Sequence, residues 1–194
     1  MVSAAILAGG RAVRLGGIDK GALLVEGRSI LDRQLSELSR VTDDLLLVGG
    51  RHGDPRARTV ADLVPNSGPL GGLHAALTEA KGDTTIVIAC DMPFVSAPLV
   101  RYLAGLADEA DAVVPQTGRG LHPLCAAYTR DCLRSVTRRL SNRQLKMLDL
   151  LADLRVRVVS PEELARFGAA NRLVANVNTP ADQNELGMLE AHEL

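Results

Sequence analysis

The fold is decided by the stretch Ile6-Leu-Ala-Gly-Gly-Arg-Ala-Val-Arg-Leu-Gly-Gly-Ile-Asp-Lys20. The apolar run over residues 4–8 ends in glycine, which is typical of a buried strand. Because glycine has no Cβ, the pairs Gly9-Gly10 and Gly16-Gly17 allow the backbone to lie close to a ligand. Two arginines and a lysine stand in the same loop, and free backbone N–H groups beside fixed cations suit a polyphosphate. One glycine pair alone is explained equally well by a turn, but two pairs with three cations favour an anion-binding loop.

Two better-known phosphate loops are absent from the sequence. No Gly-Lys dipeptide occurs in the chain, so it has no Walker A loop. The only Gly-x-Gly, Gly118-Arg-Gly120, is followed by Pro123 where the dinucleotide fingerprint needs its third small residue. A kinase, a GTPase switch and an NAD-dependent dehydrogenase are therefore disfavoured.

A family resemblance is carried by Leu7-Ala-Gly-Gly10, followed by Arg14, Gly16 and Asp19-Lys20. These residues resemble the signature of nucleotidyltransferases with a Rossmann-like fold, and the chain is most similar to the molybdenum cofactor guanylyltransferases. The resemblance implies an enzyme that joins GMP from GTP to the phosphate of molybdopterin and releases pyrophosphate. It implies that the nucleotide is bound by a set of loop and strand-end residues: Leu7, Ala8, Gly9, Gly10, Lys20, Asp62 and Asp91.

The composition is ordinary for a globular protein. With 194 residues, of which 46% are hydrophobic, we expect one domain over residues 1–194 with a full-sized core. A net charge of −1 and an aromatic content of 2% disfavour a nucleic-acid partner. The sequence shows no apolar run of membrane length and no signal peptide. The three cysteines lack zinc-like or redox spacing, so we expect a reduced, cytoplasmic protein without a membrane partner.

Strand and helix signals alternate along the whole chain, which predicts an α/β fold with a mainly parallel sheet. We predict strands at residues 3–8, 44–48 and 84–90, an extended piece at 174–177, and a helix at 145–151. Gly9-Gly10, Gly49-Gly50 and Asp91 all follow predicted strands, and ligands of open α/β sheets bind outside the carboxyl ends of strands. The resemblance specifies this class as a Rossmann-like, three-layer αβα sandwich with a mostly parallel, mixed sheet of nucleotidyltransferase type.

Asp91 is the first candidate for a metal ligand. It comes directly after a buried apolar strand, and Mg²⁺ prefers one or two carboxylates together with phosphate oxygens and waters. By itself, Asp91 is explained slightly better as the cap of an Asp-x-Pro turn. Cys90-Asp-Met-Pro-Phe94 resembles the metal-binding motif of the family, which implies that Asp91 binds magnesium.

Arg14 and Lys20 are candidates for the β- and γ-phosphates. Negative charge grows on the departing pyrophosphate, and fixed cations stabilise it. Arginine and lysine are most often solvated surface residues, but their place inside the glycine loop favours a catalytic role for Arg14 and Lys20.

The run Gly68-Pro-Leu-Gly-Gly72 opens a predicted helix and resembles a family motif that lies near the nucleotide. From the residues alone, tight packing between helix and sheet explains these glycines equally well. Asp62 aligns approximately with a family aspartate that contacts the nucleotide. A carboxylate there can accept hydrogen bonds from guanine N1–H and N2–H₂, which cytosine does not offer as a pair.

His122-Pro-Leu-Cys125 and Asn176-Val-Asn-Thr-Pro180 are also similar to family motifs. Asn176 and Asn178 alternate along the chain, so their amides would face one side and bind pterin edges or phosphate of the acceptor. By analogy with relatives, Asn178 would reach the metal, although a helix cap explains this residue at least as well. We expect His122 to be structural, because no Ser or Cys nucleophile pairs with it in a recognisable arrangement.

The chain departs from its relatives at three places. Val13 and Leu15 stand where relatives usually carry Ser and Met, and Gly49-Gly50 stands where they often carry Asn. Transfer from CTP to molybdopterin, transfer of a nucleotide to a sugar phosphate, and a non-catalytic subunit that delivers cofactor remain alternatives. Besides GTP and molybdopterin, the resemblance implies molybdoenzyme apo-proteins or cofactor-insertion proteins as partners.

Overall fold

One mixed sheet organises the chain in the computed structural model, which describes residues 1–9, 20–50 and 53–177. Seven strands follow one another across it in the order β10-β7-β9-β6-β1-β4-β5, and β8 pairs with β7 at the side. The strands are β1 (Val2–Leu7), β4 (Leu45–Val48), β5 (Arg58–Val60), β6 (Thr84–Ala89), β7 (Ala112–Thr117), β8 (Gly120–Leu121), β9 (Cys125–Thr129) and β10 (Val156–Val159). Two short strands, β2 (Leu24–Val25) and β3 (Arg28–Ser29), form a separate hairpin.

The sheet is parallel except around two strands. β1 pairs in parallel with both β4 and β6, β4 with β5, and β7 with β10. β9 runs antiparallel to both β6 and β7, and β8 runs antiparallel to β7. The predicted mostly parallel, mixed sheet is therefore confirmed.

Helices cover both faces of the sheet and complete the expected three layers. They are α1 (Ile30–Leu38), α2 (Gly68–Glu79), α3 (Ala97–Gly105), α4 (Cys132–Ser141), α5 (Met147–Leu151), α6 (Pro161–Leu164) and α7 (Ala170–Leu173), with 3₁₀ turns at Lys20–Ala22 and Ala107–Glu109. Side chains of a strand alternate between faces, so Ala4 and Ile6 enter the core under α1 and α3 while Ala5 and Leu7 enter the core under α2 and α4.

Local sequence explains where the two helices nearest the central strand begin. The Ser29 hydroxyl accepts a hydrogen bond from the Asp32 amide at 3.1 Å, which is a conventional N-cap for α1. Pro69 lies in the first turn of α2. The N–H groups of a first turn have no partner within the helix, so the N–H that proline lacks costs no helical hydrogen bond. None of the helices within the described ranges has the length and apolar character that crossing a membrane requires.

Residues 174–177, predicted as an extended piece, lie outside the strands of the sheet. The residues before it form α7, and residues 174–177 belong to neither a helix nor a strand. The Val177 amide instead donates to the carbonyl oxygen of Asp91 at 2.7 Å, so this segment is held by a loop and not by a sheet ladder. Val174, Ala175 and Val177 are buried against the core although the segment pairs with no strand. A short apolar run of this kind also fits a buried strand, so the sequence does not distinguish the two cases.

Candidate active site

The carboxyl ends of β1 and β4 meet at two glycines. The amides of Ala8 and Gly9 both donate to the carbonyl oxygen of Val48, at 2.9 and 3.1 Å. Gly49 adopts φ +72°, and a Cβ built on it would lie 2.8 Å from the Gly9 Cα. Only glycine fits there, because the backbones touch and the left-handed conformation strains any residue with a Cβ. This contact accounts for a glycine at position 49 of this chain.

A first cavity of about 540 Å³ opens beside these glycines. Its walls come from the ends of β1 and β4, from the segment before α2, and from the start of α2: Leu7, Gly9, Val48, Gly49, Asp62, Asn66, Ser67, Gly68, Pro69, Gly72 and Leu145. The sequence-predicted residues Leu7, Gly9 and Asp62 therefore line one cavity, together with the Gly68–Gly72 motif. Ala8 lies half-buried between Leu7 and Gly9.

Asp62 is held firmly at the edge of this cavity. Its Oδ1 accepts a hydrogen bond from the Val64 amide at 3.0 Å. A Cβ on Gly71 would lie 3.1 Å from Asp62 Oδ1 and 2.9 Å from the Ser67 Cβ. Gly72 likewise leaves room for Leu7, whose Cδ2 would be 3.2 Å from an added Cβ. The glycines of this motif therefore serve close packing of α2 against β1 and the Asp62 loop.

Asp91 stands at the carboxyl end of β6, next to β1. The Cys90 amide donates to the Leu7 carbonyl at 3.2 Å, which joins the loop after β6 to the wall of the first cavity. The bond from Val177 N–H to the Asp91 carbonyl places Asn176 beside the same loop. The structure thus brings Asp91, Leu7 and Asn176 together at one edge of the sheet, although Asp91 itself is not among the lining residues of the cavities described in this section.

Four predicted site residues lie outside the described part of the structure. They are Gly10, Arg14 and Asn178, together with the side chain of Lys20, whose backbone begins the 3₁₀ turn. Their roles stay predictions.

A second cavity of about 570 Å³ adjoins the first, because Pro69 and Leu145 line both. Its remaining lining comes from the loop after β6, the β8–β9 connection, the start of α5 and the C-terminal segment: Met92, Leu121, His122, Pro123, Leu124, Lys146, Met147, Leu148, Asp149 and Asn176. A third, smaller cavity of about 290 Å³ continues from it past His122 and Asn176, and Thr117 and Arg119 line its far end. The three cavities form one groove along the carboxyl edge of the sheet.

His122 has a place in the groove as well as a structural contact. Its Nε2 lies 2.8 Å from the Thr117 hydroxyl, which also accepts a hydrogen bond from the Arg119 amide at 3.2 Å. Burial, and then the nearby positive charge of Arg119, lowers the pKa of His122 below its usual value. The imidazole is therefore neutral at pH 7. The Thr117 contact holds the ring in place, and the structural role expected for His122 stays a prediction. Its position on the wall of two cavities was not expected.

Sequence reasoning also missed the residues of the second cavity that lie around α5. The sequence predicts a helix at residues 145–151, and α5 confirms that helix from Met147 onward. The start of the segment instead turns Leu145 and Lys146 into the groove. One signal was available, since Lys146 is one of only three lysines in a chain rich in arginine.

The donors at this edge fit a hard divalent cation. The Asp91 carboxylate is an oxygen ligand of the kind that such a cation prefers, and the Val177–Asp91 hydrogen bond ties the C-terminal segment to the same loop. Magnesium typically takes one or two protein carboxylates and completes its shell with phosphate and water. The phosphate oxygens would come from a nucleotide bound in the groove.

Comparison with known proteins gives consistent matches. Residues 4–158 match the family described as the MobA-like NTP transferase domain. A probable molybdenum cofactor guanylyltransferase of Pelotomaculum thermopropionicum is 37% identical over 181 residues, which are 91% of this chain and 87% of that protein. A molybdenum cofactor guanylyltransferase of Desulfosudis oleivorans is 33% identical over 194 residues, 98% of this chain and 95% of that protein. The crystal structure of molybdopterin-guanine dinucleotide biosynthesis protein A from Archaeoglobus fulgidus superposes with a TM-score of 0.80 and 25% identity, covering 99% of this chain and 100% of that one.

Proposed function

The chain belongs to the family of MobA-like NTP transferase domains, and on that premise we propose that it transfers GMP from GTP to the phosphate of molybdopterin. Pyrophosphate is the second product. The observation that carries this proposal is the pair of adjoining cavities, of about 540 and 570 Å³, which share Pro69 and Leu145 as lining residues. A transferase with a nucleotide donor and a separate acceptor needs two such compartments that meet at the reacting phosphorus.

The nucleotide occupies the first cavity in this proposal. Asp62 stands on its wall and has its second carboxylate oxygen available for a guanine edge, since Oδ1 is held by the Val64 amide. Gly9 and Gly49 let the backbone come close to the phosphates at the ends of β1 and β4. The proposal assigns Arg14 and Lys20 to the charge of the departing pyrophosphate.

The acceptor occupies the second cavity and its continuation. The apolar side chains of Met92, Leu124 and Met147 suit the flat face of a ring system. Asn176 stands where the second and third cavities meet, and offers an amide to polar ring edges or to the acceptor phosphate. This arrangement presents the acceptor phosphate to the α-phosphorus beside Asp91.

Asp91 holds the divalent cation, proposed to be Mg²⁺, and Asn178 reaches the same cation by analogy with relatives. A cation held there would supply positive charge that offsets the negative charge of the phosphates. The protein otherwise contributes alignment of two phosphates for in-line displacement. A phosphate monoester is already ionised near neutral pH, so the residues at the site need not remove a proton from the nucleophile.

Thermal unfolding with Mg²⁺ and each of GTP, CTP, ATP and UTP tests the nucleotide part of this proposal. A ligand that binds the folded protein raises the unfolding midpoint by mass action, and we expect GTP to give the largest rise. Asp91→Ala should unfold at the same temperature as the wild type without ligand and lose the Mg²⁺-dependent part of the rise. A rise with CTP alone would favour the cytidylyl alternative, and no rise with any nucleotide would contradict the proposed site.

A further inference from the structure

The loop over residues 89–93, here called the Asp91 loop, is held by hydrogen bonds to its carbonyl groups from outside the loop. The Gln34 amide nitrogen donates to the carbonyls of Ala89 and Met92, at 2.7 and 2.9 Å. Arg33 Nε donates to the Pro93 carbonyl at 3.2 Å, and the Val177 amide donates to the Asp91 carbonyl. Four of the five carbonyls of the loop thus accept a bond from α1 or from the C-terminal segment.

Gln34 is an unusual residue for its position. It lies on the inner face of α1 beside Leu35 and Leu38, and its relative exposure is 1%. Burying an amide is unfavourable unless its polar atoms are bonded, so packing alone would favour an apolar residue here. The NH₂ group of Gln34 makes two bonds to the Asp91 loop, whereas its Oε1 is buried without a hydrogen-bond partner among the described residues, so the amide is kept for its donors.

The orientation of this amide is fixed by its partners. Both neighbours are carbonyl oxygens, which only accept, so the NH₂ group of Gln34 and not its oxygen must face the loop. The two bonded carbonyls belong to Ala89 and Met92, which bracket Cys90 and Asp91. One side chain of α1 therefore fixes the loop on both sides of Asp91.

Arg33, the next residue of the helix, extends the same support. Besides the Pro93 carbonyl, its guanidinium bonds the Val25 carbonyl at 3.3 Å and Glu26 Oε2 at 2.8 Å. It also lies 5.7 Å from the ring centre of Phe94, and the Arg172 guanidinium lies 4.3 Å from the same ring centre. The β2–β3 hairpin, α1, the Asp91 loop and α7 are joined through these contacts.

We infer that Gln34 is a positioning residue that fixes the Asp91 carboxylate against the metal and phosphates during transfer. This inference rests on the proposed function, since it assigns no new ligand and acts only through Asp91. Removing a group that orients a metal ligand from outside the coordination shell lowers metal affinity or activity by about 10- to 100-fold. Gln34 occupies that place with respect to Asp91, with Arg33 supporting it from the next position of α1.

Gln34→Met tests the inference, because methionine keeps the length and flexibility of glutamine and removes both donors. The experiment measures binding of Mn²⁺ in the presence of GTP by electron paramagnetic resonance, the KM for GTP, kcat, and the unfolding midpoint. We expect Mn²⁺ binding and kcat to fall by about 10-fold or more, while KM for GTP changes little. Midpoints close to the wild-type value would show that the variant is folded.

Glu37→Ala is the matched control on the same helix. Glu37 Oε2 accepts a bond from the Ala97 amide at 2.7 Å, so its loss loosens α1 against α3 without removing a bond to the Asp91 loop. We expect this control to lower the unfolding midpoint and leave Mn²⁺ binding unchanged. If both variants weakened Mn²⁺ binding in proportion to lost stability, Gln34 would be only structural and the inference would be wrong.

Arg33→Lys decides the matter if Gln34→Met does not fold. Lysine keeps the charge that faces Glu26 but cannot bridge the Pro93 and Val25 carbonyls as the guanidinium does. We expect a smaller loss of Mn²⁺ affinity in the same direction, and wild-type affinity would overturn the inference. If the wild type binds GTP and the variants bind Mn²⁺ as the wild type does, only the inference about Gln34 is refuted. If the wild type binds no nucleotide, the proposed function is refuted as well.

Discussion

At the scale of single residues, the most specific proposal concerns Asp62. The resemblance to the family pointed to this residue, and the structure places it on the wall of the first cavity with one oxygen held by the Val64 amide. A carboxylate fixed in this way presents its other oxygen in a constant direction. Because Oδ1 keeps a second acceptor site, the two oxygens together can still accept from guanine N1–H and N2–H₂.

Asp62→Asn should weaken the preference for GTP. The amide replaces a charged acceptor by a weaker one, and a hydrogen bond to a charged group is worth about 1.5–3 kcal/mol, or roughly 10- to 100-fold in affinity. Competition of GTP against CTP and ITP measures the change, since ITP lacks the N2 amino group. Asp108→Asn, at an exposed position, is the control. Unaltered discrimination in Asp62→Asn would remove this residue from base recognition.

Gly49→Ala should damage the site through the backbone. A Cβ at φ +72° costs about 1–2 kcal/mol for the left-handed conformation alone. The same Cβ would meet the Gly9 Cα at 2.8 Å, so the ends of β1 and β4 must separate. We expect a lower unfolding midpoint and a higher KM for GTP. Gly105→Ala, where an added Cβ meets no atom within 4 Å, should be neutral or stabilising.

At the scale of elements, Glu163 joins three of them on the face opposite α2. Its Oε1 accepts bonds from the Tyr102 hydroxyl of α3 and from Arg157 of β10, both at 2.6 Å. Its Oε2 accepts from the Ser160 amide at 2.9 Å, which completes the capping box of α6. The bond from Arg157, followed by those from Tyr102 and Ser160, lowers the pKa of Glu163 to about 2.

Glu163→Gln should change the acid stability of the protein. The folded pKa lies below the ordinary value of 4.5, so ionised Glu163 stabilises the fold above that pH and the effect is lost as the pH falls from 4.5 towards 2. We expect the variant to be less stable than the wild type at pH 7 and to approach it at pH 3. Denaturant unfolding across that range measures the difference, with Glu79→Gln on the exposed face of α2 as control. A difference that stays constant with pH would contradict this account.

Elements with a strong local signal could be predicted from the sequence, whereas those that depend on tertiary contacts could not. The run at residues 84–90 is apolar and β-branched, and β6 confirms it to within one residue. The extended piece predicted at residues 174–177 does not join the sheet. Its apolar residues are buried by packing against other parts of the core, which the sequence pattern does not distinguish from burial in a sheet. The hairpin of β7 and β8, which turns at Gly118 and Arg119, was not predicted.

At the scale of the whole molecule, the order of the strands creates the site. β1 lies between β4 and β6 and runs parallel to both, so the segments after these three strands meet at one edge. The sequence predicted this convergence because the glycine pairs and Asp91 each follow a predicted strand. It did not predict the second cavity, since Met92, Leu145 and Asn176 come from segments whose approach depends on α5 and the C-terminal contact with Asp91.

Following the α-phosphate of GTP tests whether the protein transfers GMP to molybdopterin. The purified protein is incubated with molybdopterin, Mg²⁺ and GTP labelled at the α-phosphorus, and the products are separated. The account predicts one labelled molybdopterin-guanine dinucleotide for each pyrophosphate released, and no labelled dinucleotide when α-labelled CTP replaces GTP. Release of pyrophosphate without a labelled dinucleotide, or transfer from CTP in preference to GTP, would contradict it.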